Sequence, residues 1–190
     1  MNEELYVKNA VELLKQKDAS DLLYRHSLST ASVALSIAIV AVPDGIISRQ
    51  DIFKIGLLHD IGKASGSFCA DALWKRLEDM QTVQELESLL KHPIWGSDWL
   101  VRIEPLKPFA PFVMAHHEKP DSSGYPAGLS LDDIHPVTRV INIADRFSSS
   151  AIETRPYREG PLELEEVIEM LRHDIKAFFP RRHLAVIDAM

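Results

Sequence analysis

The sequence predicts an all-α protein folded as a single domain over residues 1–190, on three observations. Apolar residues recur at three- and four-residue intervals along most of the chain. No stretch alternates apolar and polar residues over the length of a strand. The breaks between periodic stretches fall on proline, glycine or a residue suited to cap a helix. There is no internal repeat and no linker of domain-boundary length. A chain of 190 residues can bury a sizeable core without cross-links, and the single cysteine, Cys69, excludes an internal disulfide.

In order, Leu5, Val7, Val11 and Leu14 define a first helix ending near Lys17. Ser20 or Asp21 can cap a second that runs to about Val42, on which His26, Thr30, Val33 and Ile37 share one face. Pro43-Asp44-Gly45 breaks it, and Ser48-Arg49-Gln50-Asp51 has the form of a capping box for a third. Ile52, Ile55, Leu58 and His59 line the inner side of that helix, and Gly62 is expected to loosen its end. A further helix is expected from about Ala70 to Leu90, with a separate short one starting at His92-Pro93, because proline suits a first turn.

After Pro105, Pro108 and Pro111, the stretch Phe109 to Glu118 is expected to be a helix that delivers His116 and His117 at its end. Lys119 to Leu129 is a loop by composition, and Ser130-Leu131-Asp132-Asp133 resembles a cap. Val137 to Ile152 then forms a helix whose apolar stripe has Asp145 beside it. Gly160-Pro161 opens a last long helix, and Pro180 sets off a short tail helix within residues 161–190.

Charge narrows the function. The formal net charge of −7 opposes long polyanions, and no basic run offers duplex nucleic acid a face. Small phosphate esters remain open, because a bound cation and a few arginines reverse the field locally. The longest apolar run, Ala34 to Val42, is too short to span a bilayer, and no signal segment opens the chain. These features predict a cytoplasmic protein with no membrane contact.

The chemistry centres on His59-Asp60-Ile61-Gly62-Lys63, which sets a nitrogen ligand beside a carboxylate inside an apolar helix. His26, His92, His116, His117 and Asp145 supply candidate partners. Imidazole with carboxylate suits iron, manganese, zinc, cobalt or nickel, and a carboxylate such as Asp60 can bridge two cations. Such a pair would polarise a phosphoryl oxygen and activate water. A buried, ionised Asp60 needs a neutralising partner, which is either a metal or Lys63 or an arginine. His135, His173 and His183 stand among solvent-type residues or beside a proline turn and are assigned ordinary structural roles.

The ordered set His26, His59-Asp60-Ile61-Gly62-Lys63, His92-Pro93, His116-His117-Glu118, Gly124-Tyr125-Pro126 and Asp145 resembles the HD-GYP branch of the HD metal-dependent phosphohydrolase superfamily, over about residues 20–158. The resemblance implies an HD-domain helical bundle that hydrolyses a cyclic dinucleotide, cyclic di-GMP first among them, at a dinuclear centre of two divalent metal ions, iron or manganese favoured. By position, one cation would take His26, His59, Asp60 and Asp145. The second would take Asp60, His92, His116 and His117. Asp60 and Lys63 would be catalytic, and Lys63, Tyr125, Arg139, Arg155 and Arg158 would hold the substrate.

The chain departs from the family pattern at several points. Leu22 stands where a third-metal glutamate is found, Ser148 replaces a further aspartate, and Ala64-Ser65-Gly66-Ser67-Phe68-Cys69 differs from the usual continuation after the lysine. Two alternatives therefore stay open: hydrolysis of another nucleotide or phosphate ester, or a degenerate domain that binds metal or cyclic dinucleotide and signals. With no attached sensor in the sequence, regulation would come from a partner protein in trans.

Overall fold

The computed structural model describes residues 2–17, 21–65, 67–73, 75, 77–152 and 160–190. Among them every named element is helical, and extended pairing is limited to one isolated bridge between Asp121 and Ser130. The all-α expectation is borne out. None of the described helices is long and apolar enough to cross a membrane.

Helix α2 (Leu22–Ala41) runs through the centre, packed on α3 (Arg49–Leu58) and α6 (Pro136–Phe147). Its buried face combines Leu23, Ala31, Ala34, Ile37 and Ala38 with His26, Ser27 and Thr30, so a polar head and an apolar tail share one surface. The small alanines let neighbouring helices come close, and His26 is carried into the centre of the bundle. Helix α1 (Glu3–Gln16) is capped by the Asn2 side chain and buries Ala10 and Leu14. Asp21 precedes α2 with φ 53° and no side-chain cap bond, so the expected cap is not formed there, and Ser20 lies outside the described residues. Ser48 does cap α3, accepting from the Asp51 amide.

Two boundaries differ from expectation for physical reasons. The helix expected over Ala70 to Leu90 begins only at Val83, because Thr82 is extended and closes a capping box with Glu85; short 3-10 turns at Ala70–Ala72 and Leu77–Asp79 precede it. Helix α4 (Val83–Val101) then runs straight through Pro93 instead of restarting there. Pro93 has no N–H for the Leu89 carbonyl four residues back, and His92 Nδ1 takes that carbonyl at 2.7 Å. The side chain of the preceding residue thus satisfies what proline leaves open.

The histidine doublet follows a shorter helix than expected, α5 (Ala110–Met114), with a 3-10 turn at Lys107–Phe109 before it. Helix α6 starts at Pro136, capped by His135, whose ring accepts from the Val137 amide at 3.2 Å and stacks edge-on against Phe112. His135 is therefore structural, as its surroundings predict. After Phe147 the helix widens into a π-helical turn, Ser148–Ile152. Helices α7 (Leu164–Phe178) and α8 (His183–Asp188) cover the far side, with Val167, Leu171, Ile175, Phe178 and Val186 in the core.

Glu85 anchors the start of α4. Its buried carboxylate accepts from the amides of Gln81 (2.7 Å) and Thr82 (3.2 Å) and from the Lys75 ammonium. The Lys75 hydrogen bond, followed by the backbone donors, pulls its pKa down from 4.5 to about 2. A carboxylate whose folded pKa is depressed stabilises above its unfolded value and loses that contribution as pH falls towards the folded one. The stability difference between wild type and Glu85→Gln, measured by urea unfolding, should therefore be full near neutrality and shrink as pH falls from 4.5 to about 2. A difference independent of pH across that window would refute the role assigned to the charge.

Candidate metal centre

The centre starts where α3 ends. After Leu58 the chain tightens through His59 and Asp60 into a 3-10 turn, Ile61–Ala64. Residues three apart eclipse in such a turn, which sets Lys63 over Asp60: its Nζ donates to Asp60 Oδ2 at 2.7 Å. Gly62 does not loosen this turn, as the sequence suggests, but presses it onto α4. A Cβ there would lie 1.9 Å from the His92 carbonyl oxygen and 2.7 Å from the Gly96 nitrogen. Only glycine allows that approach, and the approach brings Asp60 beside His92.

The two Asp60 oxygens face different ways. Oδ2 lies 3.5 Å from His26 Nε2 and 3.5 Å from His59 Nε2; Oδ1 lies 3.2 Å from His92 Nε2 and 3.8 Å from His116 Nε2. On the first side, Asp145 Oδ1 is 2.9 Å from His26 Nε2 and 3.8 Å from His59 Nε2. On the second, His92 Nε2 is 3.3 Å from His116 Nε2 and 3.2 Å from His117 Nε2. Two sets of donor atoms result, His26, His59 and Asp60 in one and Asp60, His92, His116 and His117 in the other, each gathered within 4.8 Å. The structure thus brings together all seven residues singled out as ligands in the sequence, and from five different parts of the chain.

Protonation follows from the hydrogen bonds. His59, His92 and His116 each place Nδ1 on the backbone carbonyl three residues earlier: Gly56 O at 2.7 Å, Leu89 O at 2.7 Å and Val113 O at 2.6 Å. A carbonyl can only accept, so the proton sits on Nδ1 and each Nε2 presents a lone pair. Burial lowers the pKa of His92 and, aided by the neighbouring imidazoles, takes His116 to about 3 and His117 well below its usual value. Burial would raise both carboxylates, but Lys63 and the imidazoles hold Asp60 well below the usual range, and the adjacent His26 and His59 do the same for Asp145. His59 Nε2 and Asp60 Oδ1 are buried and meet hydrogen-bond geometry with nothing among the described residues. Converging neutral imidazole nitrogens and ionised carboxylates suit borderline divalent cations, and these residues fit them.

A family model described as HD domain matches residues 2–178. The chain belongs to the HD domain family. It is 36% identical over 145 residues to the 3'3'-cGAMP-specific phosphodiesterase 3 of Vibrio cholerae, a match covering 72% of this chain and 30% of that protein. It is 26% identical over 152 residues to a cyclic di-GMP phosphodiesterase of Pseudomonas aeruginosa, covering 79% and 35% respectively. The chain thus spans about a third of the length of these relatives. Among solved structures, the HD domain of the L. monocytogenes phosphodiesterase PgpH in complex with cyclic-di-AMP matches with TM-score 0.63 at 15% identity, covering 95% of this chain and 92% of that one. The HDG"Y"P protein Bd1817 of Bdellovibrio bacteriovorus matches with TM-score 0.64 at 20% identity, over 87% and 51%. At such identities the structural likeness concerns the fold, and it agrees with the HD-domain bundle expected from the motifs.

The wall of this HD domain's centre is a folded-back loop. The buried Glu118 carboxylate accepts three backbone amides, Ala127 at 2.7 Å, Gly128 at 3.2 Å and Leu129 at 2.8 Å. Gly124 lets the loop cross itself, since a Cβ there would lie 2.3 Å from the Lys119 nitrogen. Tyr125, joined to Pro126 by a cis peptide bond, is thereby laid against His117 with ring centroids 4.8 Å apart. Burial and the Asp145 and Asp60 carboxylates push its phenol well above the usual pKa, so it stays protonated. Asn142, buried on α6, donates to the carbonyls of His116 (2.9 Å) and Glu118 (3.2 Å) and ties the doublet to the bundle. Asn142 was not singled out in the sequence, where the only signal is an amide in the apolar run Val140-Ile141-Asn142-Ile143.

The arginines fare differently. The Arg139 guanidinium, expected on substrate, donates here to the carbonyls of Ile134 (2.8 Å), Leu131 (2.6 Å) and Phe178 (3.4 Å), joining α6 to the ends of neighbouring segments. Arg155 and Arg158 lie outside the described residues.

Replacing Glu118 removes the acceptor for three amides at once. Glu118→Ala should lower the unfolding free energy by about 2–3 kcal/mol and raise amide exchange at Ala127, Gly128 and Leu129. Unchanged exchange at these amides would show that the loop is held otherwise.

Proposed function

We propose that this HD domain is a metal-dependent phosphodiesterase that hydrolyses a cyclic dinucleotide, with cyclic di-GMP as the leading substrate. The observation that carries the reading is the division of one buried carboxylate, Asp60, between two groups of lone-pair-bearing imidazoles. In this reading His26, His59, Asp145 and Asp60 hold one divalent cation, and Asp60, His92, His116 and His117 hold the second. Leu22 and Ser148 put no carboxylate at the positions a third would require. Iron or manganese are the favoured occupants, and zinc, cobalt or nickel suit the same donors. When bound, such cations supply Lewis acidity towards a phosphoryl oxygen and lower the pKa of water.

The chain's own residues do the rest. The Nδ1 bonds of His59, His92 and His116 fix the rings so that no reorientation is needed on binding. Lys63 balances Asp60 and, with its side chain 14% exposed beside that carboxylate, offers its ammonium to a phosphate oxygen. Tyr125 supplies a protonated hydroxyl at the wall formed by His117.

Support for the substrate class comes from the relatives, named for cyclic di-GMP and for 3'3'-cGAMP. A second reading, another nucleotide, is favoured by the segment after Lys63. Lys17 donates to the carbonyls of Ser65 (3.4 Å) and Phe68 (3.5 Å), and Phe68 stands edge-on to His92 at 6.4 Å, so this atypical segment abuts the centre.

Metal analysis and turnover of cyclic di-GMP, 3'3'-cGAMP and bis(p-nitrophenyl) phosphate test the proposal. Full metal content without turnover on any of them would overturn it in favour of a binding role. Asp60→Ala should lose both cations and lower turnover by at least ~10³-fold, because both sets share that residue. Lys63→Ala should keep its metals and lose about 10²-fold in turnover; loss of the metal instead would make Lys63 a purely structural counter-charge.

A further inference from the structure

On the opposite side of the 3-10 turn from the metal centre lies a cleft of about 480 Å³ that none of the assigned residues explains. Asp60 and Lys63 point from this turn towards the imidazoles, whereas Ile61, Gly62 and Ala64 line the cleft. The facing wall is α4, through Trp95, Asp98, Trp99 and Arg102, with Leu13 of α1 at the side. These four residues of α4 sit at i, i+3, i+4 and i+7, so they form one compact patch on a single helix face.

The chemistry of the patch is selective. Trp95 and Trp99 are half-buried, and neither indole N–H has a hydrogen-bond partner among the described residues. Asp98 and Arg102 are exposed at i and i+4, a spacing at which opposite charges commonly pair, yet they form no ion pair with each other or with any described residue. Two half-buried indoles, an exposed carboxylate and an exposed guanidinium therefore line a space of ligand size.

We propose that this cleft binds a guanine base. Indole faces stack on any base, so they give affinity without choice. The choice lies in the charged pair. A guanidinium donates bidentately to guanine O6 and N7, and a carboxylate accepts from guanine N1–H and the N2 amino group. Adenine offers an acceptor at N1, where a carboxylate would be repelled, and an amino group at position 6, where the guanidinium finds no acceptor. Cytosine and uracil lack the second ring that spans both groups. Guanine can reach the cleft as a mononucleotide or as part of a cyclic dinucleotide; the recognition chemistry is the same. This site stands beside the phosphodiesterase reading and does not depend on it.

Tryptophan quenching, corrected for nucleotide absorbance, tests it with GMP and AMP in the metal-loaded protein and with GMP and cyclic di-GMP side by side in Asp60→Ala, which lacks the cations and so does not hydrolyse the dinucleotide. The expected result is saturable quenching by a guanine ligand, at least tenfold weaker with AMP. Arg102→Ala and Asp98→Asn should each weaken guanine binding tenfold or more with metal content unchanged. If GMP and cyclic di-GMP differ, the tighter one identifies the source of the base. Equal affinity for AMP, or unchanged affinity in Asp98→Asn and Arg102→Ala, would overturn the proposal. So would quenching that disappears on metal removal but survives in Arg102→Ala, since the nucleotide would then sit at the metal centre. Absence of phosphodiesterase turnover leaves these affinity ratios readable, so the two claims fail separately.

Discussion

The contact on which the rest of the molecule depends is a backbone one, Gly62 against the carbonyl of His92. Everything at the centre is referred to it: Asp60 comes from the turn on one side of the contact, His92 from the helix on the other, and no side chain could stand between them. The same helix carries Pro93 next to His92, and proline would ordinarily cost a hydrogen bond there. The His92 ring takes over the freed carbonyl and is fixed in the tautomer that leaves Nε2 unprotonated. A single residue thus preserves the helix, orients a ligand and receives the turn that carries the bridging carboxylate.

Electrostatics explains why such a cluster is stable only as a set. Two carboxylates, Asp60 and Asp145, are buried among imidazoles, with Lys63 as the ammonium bonded to the first. Burial holds His92, His116 and His117 below the usual imidazole range, His116 at about 3, so these three rings do not neutralise the carboxylates by charging. The negative charge is held by Lys63, by hydrogen bonds and by any cation the donors bind. Removing one member leaves an uncompensated charge or an orphaned lone pair, which costs more than the member's own contacts suggest.

Much of this was legible in the sequence. Helical period and capping residues gave the all-α fold, and histidines or aspartates standing inside apolar stripes marked the seven residues that converge. What stayed hidden depends on contacts distant along the chain. Pro93 looked like a start because proline favours first turns, and only the His92 ring explains its place in mid-helix. Gly62 looked like a loose end because a close approach by α4, some thirty residues on, leaves no local trace. Asn142 is one amide among apolar neighbours, and its partners, the carbonyls of His116 and Glu118, are backbone atoms that no residue pattern encodes. Arg139 has the charge that suits a phosphate, and nothing in the residue pattern announces the Ile134 and Leu131 carbonyls to which its guanidinium donates.

Helix α4 shows how one element can serve two chemistries without conflict. His92 and Gly96 lie on the face turned to the metal centre, whereas Trp95, Asp98, Trp99 and Arg102 lie on the face turned to the cleft, and the Ile61–Ala64 turn is wedged where the two faces meet. A period of 3.6 residues makes the division unavoidable: His92 and Gly96, four apart on one side, leave room for a second patch about 100° round the axis. Because residues three apart eclipse in the short 3-10 segment, Asp60 and Lys63 stand together towards the metal centre while Ile61, Gly62 and Ala64 line the cleft, and the turn serves as the common wall. Its Gly62 contact with α4 makes that wall rigid, so whatever occupies the cleft meets the same backbone that sets the position of Asp60.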